Sequence, residues 1–347
     1  MSLPRFPPRA RVLAAALLLL LAALACAAPV QAPVPVVSEP PPSPWAQADA
    51  RALAAPPEME DSVPHLAAYL TEGLSSDGEK VRSIFRWVTS HVRYDMQGFR
   101  TAEYGDFSPR GVLRSRRAVC EGYSGLFEAL AQAAGIEVAT IHGFAKGVGY
   151  TAGDPVPMTY NHAWNAVKVE GIWRLLDCTW GAGALDEKGE YVAAFDPFYF
   201  FTPPEAFIYT HFPSDPAWQL LGRPLRREAF EALPQLKPAF FTCGLSFSGV
   251  PTGHLRVPGA EATIAFEAPA DVEVKILLLQ GEIPLSEAFV RASREGDRLA
   301  VSVLAPEAGT FVLRLFAARG LNAETLDWAA DLLVTAGAGT GGKGFSK

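Results

Sequence analysis

From about residue 240 onward the sequence falls into short alternating runs: "EATIAFEA", "VEVKILLLQ", "RLAVSVLA", "TFVLRLFAA" and "DLLVTAG". Glycine and proline punctuate them at near-regular intervals, a pattern that predicts an all-β sandwich. Nothing before residue 220 reads this way. There, helix-period runs come first and strands follow, without the alternation of a parallel sheet, so an α+β unit is expected. "LPQLKPAFF" (233–241) marks the join. The chain has 347 residues, enough for two cores. The expected organisation is an α+β domain over 49–232, a sandwich over 233–336 and a flexible tail over 337–347.

The N-terminus is a separate matter. Arg5, Arg9 and Arg11 precede "VLAAALLLLLAALACAA", which gives residues 1–28 the layout of a signal peptide. As a permanent anchor the run is slightly short. Residues 29–48 read as a proline-rich tether. Cleavage after Ala25 would expose Cys26 as a site for a lipid anchor, whereas cleavage after Ala27 or Ala28 would release a soluble chain. Both readings stay open, and both predict export to the periplasm, cell envelope or exterior.

Removing residues 1–28 takes away three arginines and no acids, moving the net charge from −7 to −10. Such a chain has no basic footprint for nucleic acid. It offers no basic amphipathic helix for a membrane surface. Of the four cysteines, Cys120, Cys178 and Cys243 remain if Cys26 is excluded. Three widely spaced cysteines are not a disulfide framework, so at least one is expected to be a free thiol.

Two helices are legible in the first domain. In "SSDGEKVRSIFRWVTSHVRYD", Ser76 and Glu79 have capping-box spacing, and Val81, Ile84, Phe85, Val88 and Val92 follow at helical intervals. The second helix starts near Cys120, with Tyr123, Leu126, Phe127, Leu130 and Ala134 on one stripe and Gly135 as its stop. "IEVATIHGFAK" reads as a strand. "HAWNAVKV" and "IWRLLDCTW" read as two more, joined by a tight turn at Glu170-Gly171. His162 near the start of one strand and Asp177 near the end of the other are then neighbours. The residue count leaves their register off by about two, which a bulge or a longer loop would absorb.

A cysteine at a helix N-terminus sits where the helix dipole favours the thiolate, and Arg116 and Arg117 would add to that field. An imidazole in reach can take the thiol proton and later protonate a leaving amine. A carboxylate behind it fixes the tautomer. Cys120, His162 and Asp177 supply these parts. The plainer alternatives are a core cysteine, a satisfied core histidine and a strand-ending aspartate. Cys178 reads as core. His142 and Cys178 lack ligand spacing, so neither a metal nor a cofactor is expected. Asn161, Trp164 and Trp180 are weak candidates for substrate contact beside a packing role. Gly122 either lets substrate approach or eases the helix start. The Cys120 N–H is a candidate oxyanion donor, with its second donor unassigned.

"IFRWVTSHVRYD", "RRAVCEGYSGLFEALAQAAGIE" and "YNHAWNAVKVEGIWRLLDCTWG" resemble the transglutaminase-like superfamily, in particular its kyphoscoliosis-peptidase-like branch. "DPFYFFTPPEAFIYTHFPSDPAWQLL" (196–221) resembles a further segment of that branch. The resemblance implies a papain-like α+β core, with the cysteine helix packed on an antiparallel sheet, then an immunoglobulin-like sandwich. It implies catalytic roles for Cys120, His162 and Asp177. Members of the superfamily crosslink glutamine to lysine, hydrolyse peptide or amide bonds, or have lost activity and bind partners. No lysine tunnel is evident here, so hydrolysis of a protein or peptide substrate ranks first. Crosslinking ranks second and a silent binding module third. Substrate identity, calcium dependence and oligomeric state are not legible.

Overall fold

Capping chemistry and apolar spacing set the helices of the first unit. The structure, a computed structural model, describes residues 43–337 apart from 158, 187, 260 and 321. The signal-peptide segment 1–28, residues 29–42 of the tether and residues 338–347 of the tail lie outside the described residues. Helix α1 (Ala46–Leu53) starts inside the stretch read as tether. It belongs to the core because Trp45 packs on Phe200 and Asp49 pairs with the buried Arg82. Helices α2 (Val63–Thr71) and α3 (Asp77–His91) follow, the latter with both halves of the Ser76–Glu79 capping box. Val81, Ile84, Phe85 and Val88 are buried. Helices α4 (Met96–Thr101) and α5 (Pro109–Ser115) lead to α6 (Cys120–Ala133). Its stripe of Tyr123, Leu126, Phe127 and Leu130 is buried, and Gly135 at φ +76° makes the left-handed exit.

Strands β1 (Arg93–Tyr94) and β2 (Arg117–Ala118) form a short parallel bridge just before α6. Then come β3 (Glu137–Ala145), β4 (His162–Val169), β5 (Ile172–Leu176), the hairpin of β6 (Gly183–Leu185) with β7 (Tyr191–Ala193), β8 (Phe200–Thr202) and β9 (His211–Pro213). One antiparallel sheet runs β8-β5-β4-β3-β9. Helix α6 packs on β3 and β4, where the buried Asn165 donates to the Ser124 carbonyl and to Thr140 Oγ1. The β4–β5 turn is the expected two-residue one, with Glu170 at φ +52° and Gly171 at φ +79°.

Two local expectations need correction. No bulge interrupts β4 and β5, which pair without a break from Val169–Ile172 to Asn165–Leu176. Asp177 is not in a strand either: it caps helix α7 (Cys178–Ala182), so Cys178 is helical, though buried as expected. The two-residue offset is absorbed diagonally. Position 177 continues the ladder opposite Trp164, and His162 is the next residue on that face, within reach across a sheet.

The second unit contains β10 (Gln235–Leu236), β11 (Ser246–Phe247), β12 (His254–Val257), β13 (Glu261–Glu267), β14 (Val272–Gln280), β15 (Ile283–Pro284), β16 (Val290–Glu295), β17 (Arg298–Leu304), β18 (Gly309–Arg319) and β19 (Asp327–Ala336). The five runs read from sequence are β13, β14, β17, β18 and β19. They form two sheets, β10-β19-β18-β14-β15 with β12 parallel to β19, and β11-β13-β17-β16. Phe266, Val301, Phe311, Leu313 and Val334 fill the space between them.

At the join, Lys146 follows β3 and is fully buried. Its Nζ donates to the carbonyls of Phe230 and Leu233, each at 2.9 Å, while Gln235 Nε2 donates to the Lys146 carbonyl. Burial pulls its pKa down to about 7, with the Glu231 charge acting the other way. Among the described residues no helix is long and apolar enough to cross a membrane.

Candidate active site

Cys120 is the first residue of α6 and is half-buried. Its thiol is within hydrogen-bonding reach of His162 and of the Ala163 backbone N–H. His162 opens β4 and is nearly buried. Its Nε2 lies 2.8 Å from Asp177 Oδ2, which leaves Nδ1 as the ring nitrogen for the thiol. Asp177 has no exposure. Its Oδ1 accepts from the N–H groups of Thr179 (2.7 Å) and Trp180 (3.1 Å) at the start of α7. The three residues expected to meet are thus brought together.

A fourth residue joins them that sequence reasoning missed. His211, on β9 at the sheet edge, places Nε2 3.2 Å from the same Asp177 Oδ2. Its Nδ1 lies 2.9 Å from Thr210 Oγ1. With Nε2–H donating to the carboxylate and Nδ1 accepting from Thr210, a neutral His211 is fully satisfied. Gly143 makes this possible. It pairs with both His162 and Pro213, and a Cβ there would lie 2.5 Å from Trp164 and 2.4 Å from the Phe212 carbonyl. The Trp164 ring fills the space a side chain would need.

The electrostatics follow from these contacts. Burial would raise the Cys120 pKa, but the hydrogen bond and charge of His162 and the Ala163 N–H bring it below the ordinary thiol value. Burial would lower His162, but the Asp177 charge and hydrogen bond, with help from Cys120, hold it well above the usual imidazole range. Asp177 is held well below the carboxylate range because the two histidines outweigh its burial. Burial pulls His211 down to about 4, and Asp177 offsets only part of this. Relative to the free side chains, these contacts shift Cys120 toward its thiolate and His162 toward its imidazolium, and shift His211 toward its neutral form.

The arginines do not act as expected. The Arg116 guanidinium pairs with Glu60 and lies over Trp87, and Arg117 pairs with Asp95. The thiol's shift is set chiefly by burial, His162, the Ala163 N–H and Asp177. Trp164 is buried against His162 and His211. Trp180 is half-buried, 5.5 Å from the His162 ring and 4.5 Å from that of His211. The Asn161 side chain bonds both backbone groups of Ala145, tying the β3–β4 loop together. Gly122 serves close packing, since a Cβ there would meet Ala118 at 2.7 Å and Val112 at 3.0 Å.

His162, Asp177 and His211 bring ligand atoms within 4.8 Å of one another, a donor set that could hold a metal. Here those atoms hydrogen-bond to each other. His142 does not join Cys178; its Nε2 contacts Glu121.

Residues 64–178 match the transglutaminase-like superfamily, and residues 227–338 match the KY-like, immunoglobulin-like domain. Kyphoscoliosis peptidase from Mus musculus is 33% identical over 260 residues, covering 75% of this chain and 39% of that protein. The Homo sapiens protein of the same name is 33% identical over 253 residues, covering 73% and 38%. The Lim and transglutaminase domain protein ltd-1 of Caenorhabditis elegans is 37% identical over 193 residues, covering 51% and 26%. The chain therefore spans about two fifths of the length of the first two relatives. With its cysteine helix on an antiparallel sheet and a sandwich behind, this chain belongs to the transglutaminase-like superfamily and carries a KY-like immunoglobulin-like domain.

Proposed function

We propose that the protein is an exported cysteine hydrolase that cleaves peptide or amide bonds through Cys120, His162 and Asp177. The observation that carries this reading is the continuous contact from the Cys120 thiol through His162 to the buried Asp177. The Cys120 thiolate attacks a substrate carbonyl, forming the C–S bond. The tetrahedral intermediate collapses as His162 protonates the leaving amine. His162, now neutral, takes a proton from water, which cleaves the thioester and frees the acid. Asp177 holds the ring in the tautomer that both steps need.

Polypeptide is the substrate class this surface favours. Phe99, Tyr104 and Phe107 are exposed on the segment leading to α5 and α6. Tyr160, beside His142, is exposed near the start of β4. Exposed aromatics around a nucleophile suit an extended chain with apolar side chains. The name of the kyphoscoliosis peptidases agrees with hydrolysis. Export rests on the arginine-led apolar run of residues 1–28, and Cys26 is the candidate lipid-anchor site.

Labelling with a thiol-reactive peptide-amide probe tests the reading. The parent chain should label and turn over amide substrates, and Cys120→Ala should do neither. Labelling that persists in Cys120→Ala would sink the proposal. Cys120-dependent incorporation of amines into glutamine peptides, without hydrolysis, would replace it with crosslinking.

A further inference from the structure

Strand β14 pairs with β18 from Val272 to Leu279, but on its other side β15 covers only Leu279 and Gln280. In an antiparallel ladder the N–H and C=O of one residue point to the same side, and that side alternates along the strand. Two contacts show which residues point away from β18. The Val272 carbonyl accepts from Arg294 Nη2 at 2.9 Å, and the Leu278 carbonyl accepts from the Leu285 N–H at 2.8 Å. Val274 and Ile276 share that parity. Their N–H and C=O groups therefore turn outward, and these have no partner among the described residues.

The side chains show the same gap. Val274 and Ile276 face the sandwich interior, yet both are only half-buried. Val290 and Ala292 face inward from β16, opposite the buried Val303 and Val301. Val290 is half-buried and Ala292 is exposed. A groove of about 370 Å³ runs along these four residues. Uncovered inward-facing apolar residues beside unpaired backbone leave room for one more strand. Arg294 closes one end and β15 the other, so the opening spans Val272 to Leu278, about 20 Å, enough for about five extended residues. A second copy of this chain does not suit it. That copy would bring its own β15 to the edge where the two β14 strands have to meet.

We propose that this gap binds an extended segment of a partner protein, of the pattern apolar-acidic-apolar, as an added strand antiparallel to β14. The residues opposite Val274 and Ile276 exchange backbone hydrogen bonds with them and send apolar side chains over Val290 and Ala292. The residue between them faces outward beside Lys275, which is exposed and has no ion pair among the described residues. An acidic side chain there meets an unpaired amine. The neighbouring Glu273 is already engaged, its Oε2 accepting from the Asn322 N–H at 3.0 Å.

The test uses the full chain carrying Cys120→Ala, which leaves no nucleophile to consume a peptide. The probes are two capped pentapeptides, Thr-Val-Asp-Val-Thr and Thr-Val-Lys-Val-Thr. The aspartate peptide should bind with a Kd below about 1 mM and slow hydrogen exchange at the Val274 and Ile276 amides. The lysine peptide should bind about threefold more weakly, the scale of an exposed ion pair, and Lys275→Glu should reverse that order. Val274→Pro deletes an outward N–H without touching the β18 ladder. Ala292→Glu puts a charge where the apolar side chains pack. Each should weaken binding by about tenfold or more; the Ala292→Glu variant should keep the parent's thermal midpoint, so the result stands even if the proline disturbs the strand. Failure of both peptides to bind overturns the proposal. So does binding that leaves the two amides unprotected, or no preference for aspartate. If those amides are already protected in the free chain, the gap is filled by another segment of this chain or by a second copy, and the proposal falls.

Discussion

His162 and His211 come from different strands, and both direct Nε2 at one atom, Asp177 Oδ2, at 2.8 and 3.2 Å. Their charges are driven apart by where they sit. His162 also faces a thiol that becomes negative when it becomes positive. His211 faces Thr210 and the stacked Phe207 ring, which offer no second anion. One carboxylate thus supports one cation and orients one neutral ring.

Cys120 should alkylate as an acidic thiol. Its reaction with iodoacetamide is expected to show a pH midpoint below the ordinary thiol pKa of about 8.5, because His162 outweighs burial. His162→Gln removes that support and should move the midpoint upward. A parent midpoint at or above the ordinary value would contradict the ion pair.

Asp177→Asn keeps the shape but not the charge. Turnover should fall by about 10³ to 10⁴, as in other triads whose acid is neutralised. The fold should lose about 3 kcal/mol, because the His162 imidazolium loses the buried anion that supports it. Urea unfolding and single-substrate kinetics measure the two effects. Full stability combined with full activity would remove Asp177 from both roles.

His211 makes stability depend on acid. Its folded pKa, about 4, lies below the unfolded value near 6.5, so the unfolded chain binds more protons between them. Its contribution is fully present above pH 6.5 and is lost as pH falls toward 4, up to about 3 kcal/mol. His211→Gln keeps a donor for Asp177 without titrating. Urea midpoints measured across this range should fall less steeply for the variant than for the parent; parallel slopes would refute the assignment.

Gly143→Ala tests the space between the histidines. The new Cβ would meet the Phe212 carbonyl and the Trp164 ring, and the former is backbone that cannot turn aside. A cost of about 1–3 kcal/mol is expected, as for other overpacked sites, together with slower alkylation of Cys120. A thermal scan and the iodoacetamide rate would show both. An unaffected protein would mean that the strands part more easily than the geometry implies.

Much of this was legible before the structure. Ser76, Glu79 and the stripe from Tyr123 to Leu130 fixed two helices because capping and period-3.6 patterns are local. Glu170-Gly171 fixed a hairpin for the same reason. Cys120, His162 and Asp177 were legible as parts of one chemistry. His211 was not: its strand is three residues long and carries no period, and its link to Asp177 crosses 34 residues of sequence. Arg116 and Arg117 misled because proximity in sequence says nothing of side-chain direction, which Glu60 and Asp95 decide. Short strands such as β10 and β12 escaped notice because two to four residues cannot display alternation.

Lys146 determines where this chain can be divided. A cut at the 232/233 boundary suggested by composition would keep Phe230 and discard Leu233, halving the acceptors around a buried amine. It would also remove Gln235, which donates to the Lys146 carbonyl. An excised core therefore has to carry the chain through Gln235, and with it a strand that completes the sandwich's own sheet. The two domains overlap by that segment, so neither can be isolated whole without taking backbone from the other.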